Sequence, residues 1–298
     1  MVNILISGYY GFDNIGDESI LRTLVSSQRE HIPDCSLTVL SHNPASTREK
    51  YGVEAVDRMS PMAILRAVKK CDMLISGGGS LLQDVTSSKS LHYYLSIIRC
   101  AEFFHKKVFI YSQGIGPIDR PGNRRAAAAA LKRADGIVVR DERSAALLEE
   151  IGIARDKVVI TADPVIRMKK TDRAVGETIL RRAGVTQDGR PVVGWAIRER
   201  NRDSRFVAEV LRSIRWLKET YNAQSVLIPF HYEEDGEVCR HIASQLPDDT
   251  AVCLDEKYLS EDMLSIIGCM DLLVGVRLHS LIYVASMGVP LIGISYDP

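Results

Sequence analysis

The chain has 298 residues, 46% of them hydrophobic and 26% charged, with 38 basic side chains against 38 acidic ones. That length exceeds one hydrophobic core and predicts two domains of roughly 100 to 200 residues each. Zero net charge speaks against a nucleic-acid binder, which needs a basic excess, and no apolar run approaches the roughly 20 residues that cross a bilayer.

The start, Met-Val-Asn-Ile-Leu-Ile-Ser-Gly, reads as a strand rather than a secretory leader. The six cysteines are scattered without a C-x-x-C pair or a histidine at ligand spacing, so reduced thiols and no metal site are expected. From Val2 to Thr161 short β-branched runs alternate with amphipathic ones, the pattern of β-α-β units around a parallel sheet. Strands are predicted at 2–7, 36–40, 73–76, 108–111, 136–139 and 158–161, with helices at 17–31, 61–70, 91–105, 121–134 and 143–151. A polar stretch, 168–173, reads as a linker. The alternation then restarts, with strands at 192–196, 225–228, 250–254, 272–276 and 291–294 and helices near 205–221, 236–245, 260–268 and 281–287. The fold class is α/β: two Rossmann-like domains with parallel sheets, 1–165 and 172–298, in a GT-B-like arrangement across a cleft. The chain stops at Tyr296-Asp297-Pro298 directly after a strand, and a covering C-terminal helix is expected beyond it.

Ligands of open α/β sheets bind at the carboxyl ends of the strands, so the loops there are the places to search. The first, Ser7 to Asp17, carries Gly8, Gly11 and Gly16, which do not fit G-x-G-x-x-G, together with Asp13 and Asn14. Its aromatics Tyr9, Tyr10 and Phe12 suit a sugar face, and Asp17 reads as a helix cap. Gly77, Gly78 and Gly79 follow the strand ending at Ser76 and offer backbone amides to a ligand. Gln113-Gly114-Ile115-Gly116-Pro117 repeats the arrangement. Arg140 follows 136–139 as Arg277 follows 272–276, so two planar guanidinium forks could clamp one dianion; alternatively each pairs with a nearby acid. Ser280 reads as the cap of the last helix, whose amides add to an anion site beside Arg277 and His279. If strand geometry persists through Leu278, Arg277 and His279 project to one side. Arg198, Arg200, Arg202 and Arg205 crowd one loop. His231 ends another strand.

The set Gly8 with Asn14 to Asp17, Ser76 to Gly79, Gln113 to Pro117, Val139 to Ser144 and Arg277-Leu278-His279-Ser280 resembles the polysaccharide pyruvyl transferase family over nearly the whole chain. Length and spacing are most similar to the CsaB-type enzymes. The resemblance implies transfer of the enolpyruvyl group of phosphoenolpyruvate, as a 4,6-ketal, onto β-linked N-acetylmannosamine. The acceptor it implies is a lipid-linked precursor of the secondary cell-wall polymer that anchors a surface layer. It also implies a cytoplasmic enzyme, at most peripheral to the inner face of the membrane, with no cofactor beyond its co-substrate. In that chemistry His279 is the expected proton donor to C3, and Asp13, then Asp84, the expected base. Arg140, Arg277, Ser280, Asn14, Gln113, Arg198, His231 and the glycine amides of 77–79 are the expected substrate contacts. A nucleotide-sugar glycosyltransferase and a non-catalytic carbohydrate-binding module are the rival readings. The first lacks a clear ribose acid beyond Asp255 and Glu256; the second should be richer in aromatics than 6%.

Overall fold

Apolar runs become strands, and the amphipathic runs between them become the helices that cover both sheet faces. The computed structural model describes residues 1–85, 87–170, 172–186, 188–199 and 204–295. It divides into two compact units, 1–12 with 17–164, and 13–16 with 165–298.

In the first unit the order is β1 (Val2–Tyr10), α1 (Ile15–His31), β2 (Cys35–Ser41), α2 (Pro44–Tyr51), β3 (Glu54–Asp57), α3 (Pro61–Lys70) and β4 (Met73–Gly77). There follow α4 (Ser88–Phe103), β5 (Lys107–Gln113), α5 (Pro121–Leu131), β6 (Gly136–Val139), α6 (Glu142–Glu150) and β7 (Val158–Ile160). The seven strands are parallel in the order β3-β2-β1-β4-β5-β6-β7. Successive residues of a strand face opposite sides, and β1 shows it. Leu5 joins Leu74, Val108 and Leu95 on one face, while Ile4 and Ile6 join Leu21, Leu24 and Val39 on the other.

The second unit holds α7 (Arg173–Arg182), β8 (Val192–Ala196), α8 (Arg205–Tyr221), β9 (Gln224–Leu227) and α9 (Tyr232–Ala243). It closes with β10 (Ala251–Cys253), α10 (Ser260–Ile267), β11 (Leu272–Gly275), α11 (Leu278–Met287) and β12 (Leu291–Gly293). Its parallel strands run β10-β9-β8-β11-β12. The strand order therefore reverses at β1/β4 in the first unit and at β8/β11 in the second. These are the two switch points where a ligand crevice opens.

Several expectations need correction. α2 and β3 were not foreseen, although Asn43 caps α2, Pro44 opens it and Gly52 closes it in the left-handed region. Part of the expected linker is α7, capped by Asp172 and closely packed on α10: the Gly176 N–H donates to Ser265 Oγ at 2.8 Å. α1 begins at Ile15, so Asp17 lies in its first turn and is not its cap. α11 begins at Leu278, so Arg277 is the cap residue and strand alternation does not carry through to His279. Ser280 is inside the helix and fully buried, and its hydroxyl donates to the Arg277 carbonyl at 2.6 Å.

Candidate functional site

At the β1/β4 switch point the sequence motifs turn out to hold one another. The Gln113 amide donates to the Ser76 carbonyl and hydroxyl at 2.8 and 2.9 Å, and the Gly114 N–H to the Gly79 carbonyl at 2.9 Å. Arg140 donates to Ser80 Oγ at 2.9 Å and pairs with Asp163 at 3.0 Å, and Ile115 N–H donates to Ser144 Oγ at 2.8 Å. Three of the five motifs are thus one interlocked edge of β4, β5 and β6.

This overturns part of the expected chemistry. Gly77 to Gly79 are buried, and the Gly78 N–H is taken by the Tyr111 carbonyl at 3.0 Å, so the triplet is not an open row of amides. Its glycines are required by packing: Gly78 has φ +74°, and a Cβ there would collide with Ile20 of α1. Gln113 is fully buried and its Oε1 is sealed without a hydrogen-bond partner, so it braces Ser76 rather than reaching outward. Arg140 has only 11% of its side chain exposed, with Asp163 at 3.0 Å and Asp141 at 3.9 Å, which is the acid-paired alternative and not a free fork.

Asp84 is likewise structural. Its carboxylate is buried and accepts from the Asp119 and Arg120 N–H groups and from Asn123 Nδ2, fixing the entry to α5. Burial alone would raise its pKa, but these donors outweigh it and hold the carboxyl below the usual carboxylate value. Tyr10 belongs to the core, bonded to the Gly77 carbonyl at 2.7 Å, and Phe12 is stacked on both faces by Tyr9 and His42. Neither offers a ring face to a sugar. Arg58, missed in the sequence, explains this stack: buried among the rings of Tyr9, Phe12, Tyr93 and Tyr94, it donates to the Gly8 carbonyl at 3.1 Å.

The second unit holds the Arg277 to Ser280 motif, together with residues 13–16. The Ile15 N–H donates to the Phe230 carbonyl at 2.9 Å, and Asn14 forms an antiparallel bridge with His231. The His279 ring lies against Gly16, where any Cβ would collide with it, so glycine in the first motif is what admits the histidine of the last. Asp13, at φ +53°, directs its carboxylate to Lys257 Nζ at 2.6 Å. Lys257 was also missed, since nothing in the spacing of its loop connects it to position 13.

His231 caps α9: its Nδ1 accepts the Glu234 N–H at 3.3 Å, which places the proton of the neutral ring on Nε2, a buried atom without a hydrogen-bond partner. Asp235 accepts the His231 N–H at 2.8 Å and also takes the Arg277 fork through both oxygens, at 3.1 and 2.6 Å. Glu234 adds a third contact to Arg277 at 3.2 Å. Burial would lower the Arg277 pKa, yet these carboxylates raise it further, so the guanidinium stays charged. Its Nε and Nη2 are engaged, and Nη1 is the edge left for a ligand. Arg198 is exposed on the loop after β8, the strand beside β11. Arg200 and Arg202 lie outside the described residues. The arrangement supplies a charged carboxylate, a lysine, a fixed guanidinium and two imidazoles at strand carboxyl ends, which is a set suited to proton transfer next to an anion.

Among the described residues no helix is long and apolar enough to cross a membrane, and no cluster of three or more His, Cys, Asp or Glu is arranged to hold a metal ion. The family model for polysaccharide pyruvyl transferase matches residues 14–298. The amylovoran biosynthesis protein AmsJ of Erwinia amylovora is 22% identical, over 99% of this chain and 84% of its own. Among solved structures, UDP-GlcNAc 2-epimerase from Neisseria meningitidis, bound to UDP-GlcNAc, is similar with a TM-score of 0.67 at 14% identity, over 100% of this chain and 83% of that one. HepE from Anabaena, in complex with UDP-glucose, gives 0.64 at 12% identity, over 98% and 80%. The E. coli ADP-heptose LPS heptosyltransferase II gives 0.54 at 14% identity, over 98% and 84%. These likenesses show the fold, two Rossmann-like units of GT-B type.

Proposed function

The chain belongs to the polysaccharide pyruvyl transferase family, and from that membership we propose that it moves the enolpyruvyl group of phosphoenolpyruvate onto two hydroxyls of a saccharide, as a ketal, releasing phosphate. One observation carries the assignment of roles: His279 rests on Gly16, three residues along the chain from the Asp13 carboxylate. That nearness along the chain supports reading His279 as the acid and Asp13 as the base.

His279, charged, gives a proton to C3 of the enol, and C2 becomes electrophilic as an oxocarbenium-like centre. Asp13 takes the proton of the first sugar hydroxyl as its oxygen adds to C2. Phosphate then leaves, and the second hydroxyl adds to the regenerated cation. The proton balance closes, because one hydroxyl proton restores His279 and the other departs with phosphate. Arg277 Nη1 and the first-turn amides of α11 face the anionic end of the donor. Arg198 and Asn14 are further contacts. The Nε2–H of His231 is a donor for a ligand oxygen. No metal is assigned a role in this reading, so turnover is expected to survive chelators. Within the saccharide class, N-acetylmannosamine on a lipid-linked cell-wall precursor, met at the inner face of the membrane, is the acceptor that the resemblance to CsaB-type enzymes implies.

The test is phosphate release from phosphoenolpyruvate with and without a saccharide acceptor, with mass spectrometry of the acceptor for the added ketal. Acceptor-dependent release is expected. Hydrolysis or transfer from a nucleotide sugar, with phosphoenolpyruvate untouched, would replace this reading by the glycosyltransferase one. The replacement His279→Gln should slow single-turnover ketal formation by roughly 10² to 10⁴-fold while leaving phosphoenolpyruvate binding largely intact.

A further inference from the structure

We propose that Lys257 is a further ligand-facing cation of the second unit, bridging the Asp13 carboxylate to an anionic oxygen of the bound donor, a phosphate or carboxylate. The inference deepens the pyruvyl-transfer reading and takes from it only the chemical class of the donor.

The argument begins with charge. Arg277 is matched by two carboxylates, Asp235 and Glu234. Lys257 has one in direct contact, Asp13 at 2.6 Å, with Glu233 acting on it from further off. An ammonium has three N–H donors in fixed divergence. Among the described residues one points to Asp13, and the face of the Tyr232 ring lies 5.3 Å from Nζ. With 48% of its side chain exposed, its remaining donors are more open to a ligand than the Nη1 edge of Arg277, whose side chain is 15% exposed.

The lysine is also held in place. Tyr232, the first residue of α9, donates its hydroxyl to the Asp255 carbonyl at 3.1 Å. The Asp255 carboxylate, two residues before Lys257, is occupied by Arg240 at 2.6 Å. The hydrogen bond that Lys257 donates to Asp13 does most to keep the ammonium charged, and the negative charge of Glu233 on α9 adds to it. On the opposite side Asp13 has φ +53°, a conformation that costs a non-glycine residue and that persists only where the surroundings over-determine it. An ordinary surface ion pair joins two pliable side chains and is worth little. Here one partner comes from a strained backbone and the other from a ring-backed loop, next to the proposed acid and base. Lysine serves as a compact point charge for phosphate, whereas the planar fork of arginine would compete with the carboxylate for bidentate geometry.

Calorimetric titration separates this inference from the reading beneath it. Wild type, Lys257→Met, Lys257→Arg and Asp13→Asn are each titrated with phosphoenolpyruvate, inorganic phosphate and UDP-glucose. The expected result is a loss of phosphoenolpyruvate affinity of roughly ten- to a hundredfold in Lys257→Met, the worth of one charge-assisted hydrogen bond, with partial retention in Lys257→Arg. Asp13→Asn removes the competing carboxylate and should bind the anion as tightly as wild type or tighter. Wild type that ignores phosphoenolpyruvate but binds UDP-glucose in a Lys257-dependent way would sink pyruvyl transfer and keep the lysine. Unchanged affinity in a folded Lys257→Met variant, or wild type that binds none of the three anions, overturns the inference. If Lys257→Met does not fold, acetylation footprinting of the wild type decides: saturating phosphoenolpyruvate should protect Lys257, and full reactivity in its presence would count against the bridge.

Discussion

Gly16 sits in the first turn of α1, where alanine is the better helix former by up to about 1 kcal/mol. What excludes a side chain there is the His279 ring. Gly16→Ala should therefore leave the melting temperature within a few degrees of wild type, yet displace the imidazole. A shift of about 1 Å at a reacting group can cost on the order of a hundredfold in rate. Turnover at or near wild type in Gly16→Ala would mean that His279 does no chemistry at this position. Asp84 makes the opposite case. Its three accepted hydrogen bonds tie two backbone N–H groups and Asn123 to one buried carboxylate. Asp84→Asn should lower the melting temperature and leave turnover of the folded fraction unchanged, whereas a catalytic base would show the reverse. The pH dependence follows in sign. A carboxyl whose folded pKa is depressed contributes stability that is complete above its unfolded value of about 3.9 and is lost as pH falls through the lower folded value. The melting temperatures of wild type and Asp84→Asn should converge only in strong acid.

The helices that carry the site were those hardest to delimit from sequence, for a physical reason. Pro61–Lys70, Gly136–Val139, Val192–Ala196 and Arg205–Tyr221 emerge with the bounds that their apolar periodicity predicts, and Ser60 and Ser204 cap the two helices where that periodicity begins. α9 begins four residues earlier than its periodicity suggests, and α11 three. In both, polar residues at the strand exit are drafted into the first turn, where apolar spacing is silent. A legible signal did exist for α9: three acids, Glu233, Glu234 and Asp235, in the turn that the helix dipole favours for negative charge. Two of them then close on Arg277, which no one-dimensional pattern could announce. The pairing makes α9 and the end of β11 one unit. Arg277→Lys keeps the charge but loses the fork on a buried carboxylate, at an expected cost of about 1.5 to 3 kcal/mol. The melting temperature should drop by several degrees and phosphoenolpyruvate should bind more weakly. An unchanged melting curve would show that the Asp235 fork contributes nothing to holding α9.

Across the whole molecule, the parallel sheets and their switch points were legible because hydrophobic runs must be buried on both faces. The interlocking of Ser76, Gln113 and Arg140 was not, because a motif read along the chain gives no sign of whether it faces ligand or its own neighbours. The cysteines test whether both units are formed as described, since they sample each of them. Cys71, in the first core, is buried and its thiol is pushed up to about 11 by desolvation. At pH 8 only about one thiol in a thousand is then the reactive thiolate, even before access is considered. In the second unit Cys239 on α9 and Cys253 on β10 share a hydrogen bond that raises the first thiol and lowers the second, and Cys253 is the more exposed of the two. Aromatic-disulfide titration at pH 8 should accordingly modify Cys253 before Cys71, Cys239 and Cys269, which are slow, and all six at one rate in denaturant. Ligand should matter as well: α9 also carries the His231 cap and the acids that hold Arg277, so a bound anion that tightens that helix should slow modification at Cys253. Early reaction at Cys71 would show that the first core opens on the labelling timescale. Equal rates at Cys239 and Cys253 in the native protein would show that the α9–β10 contact on which Tyr232 and Lys257 depend is not formed.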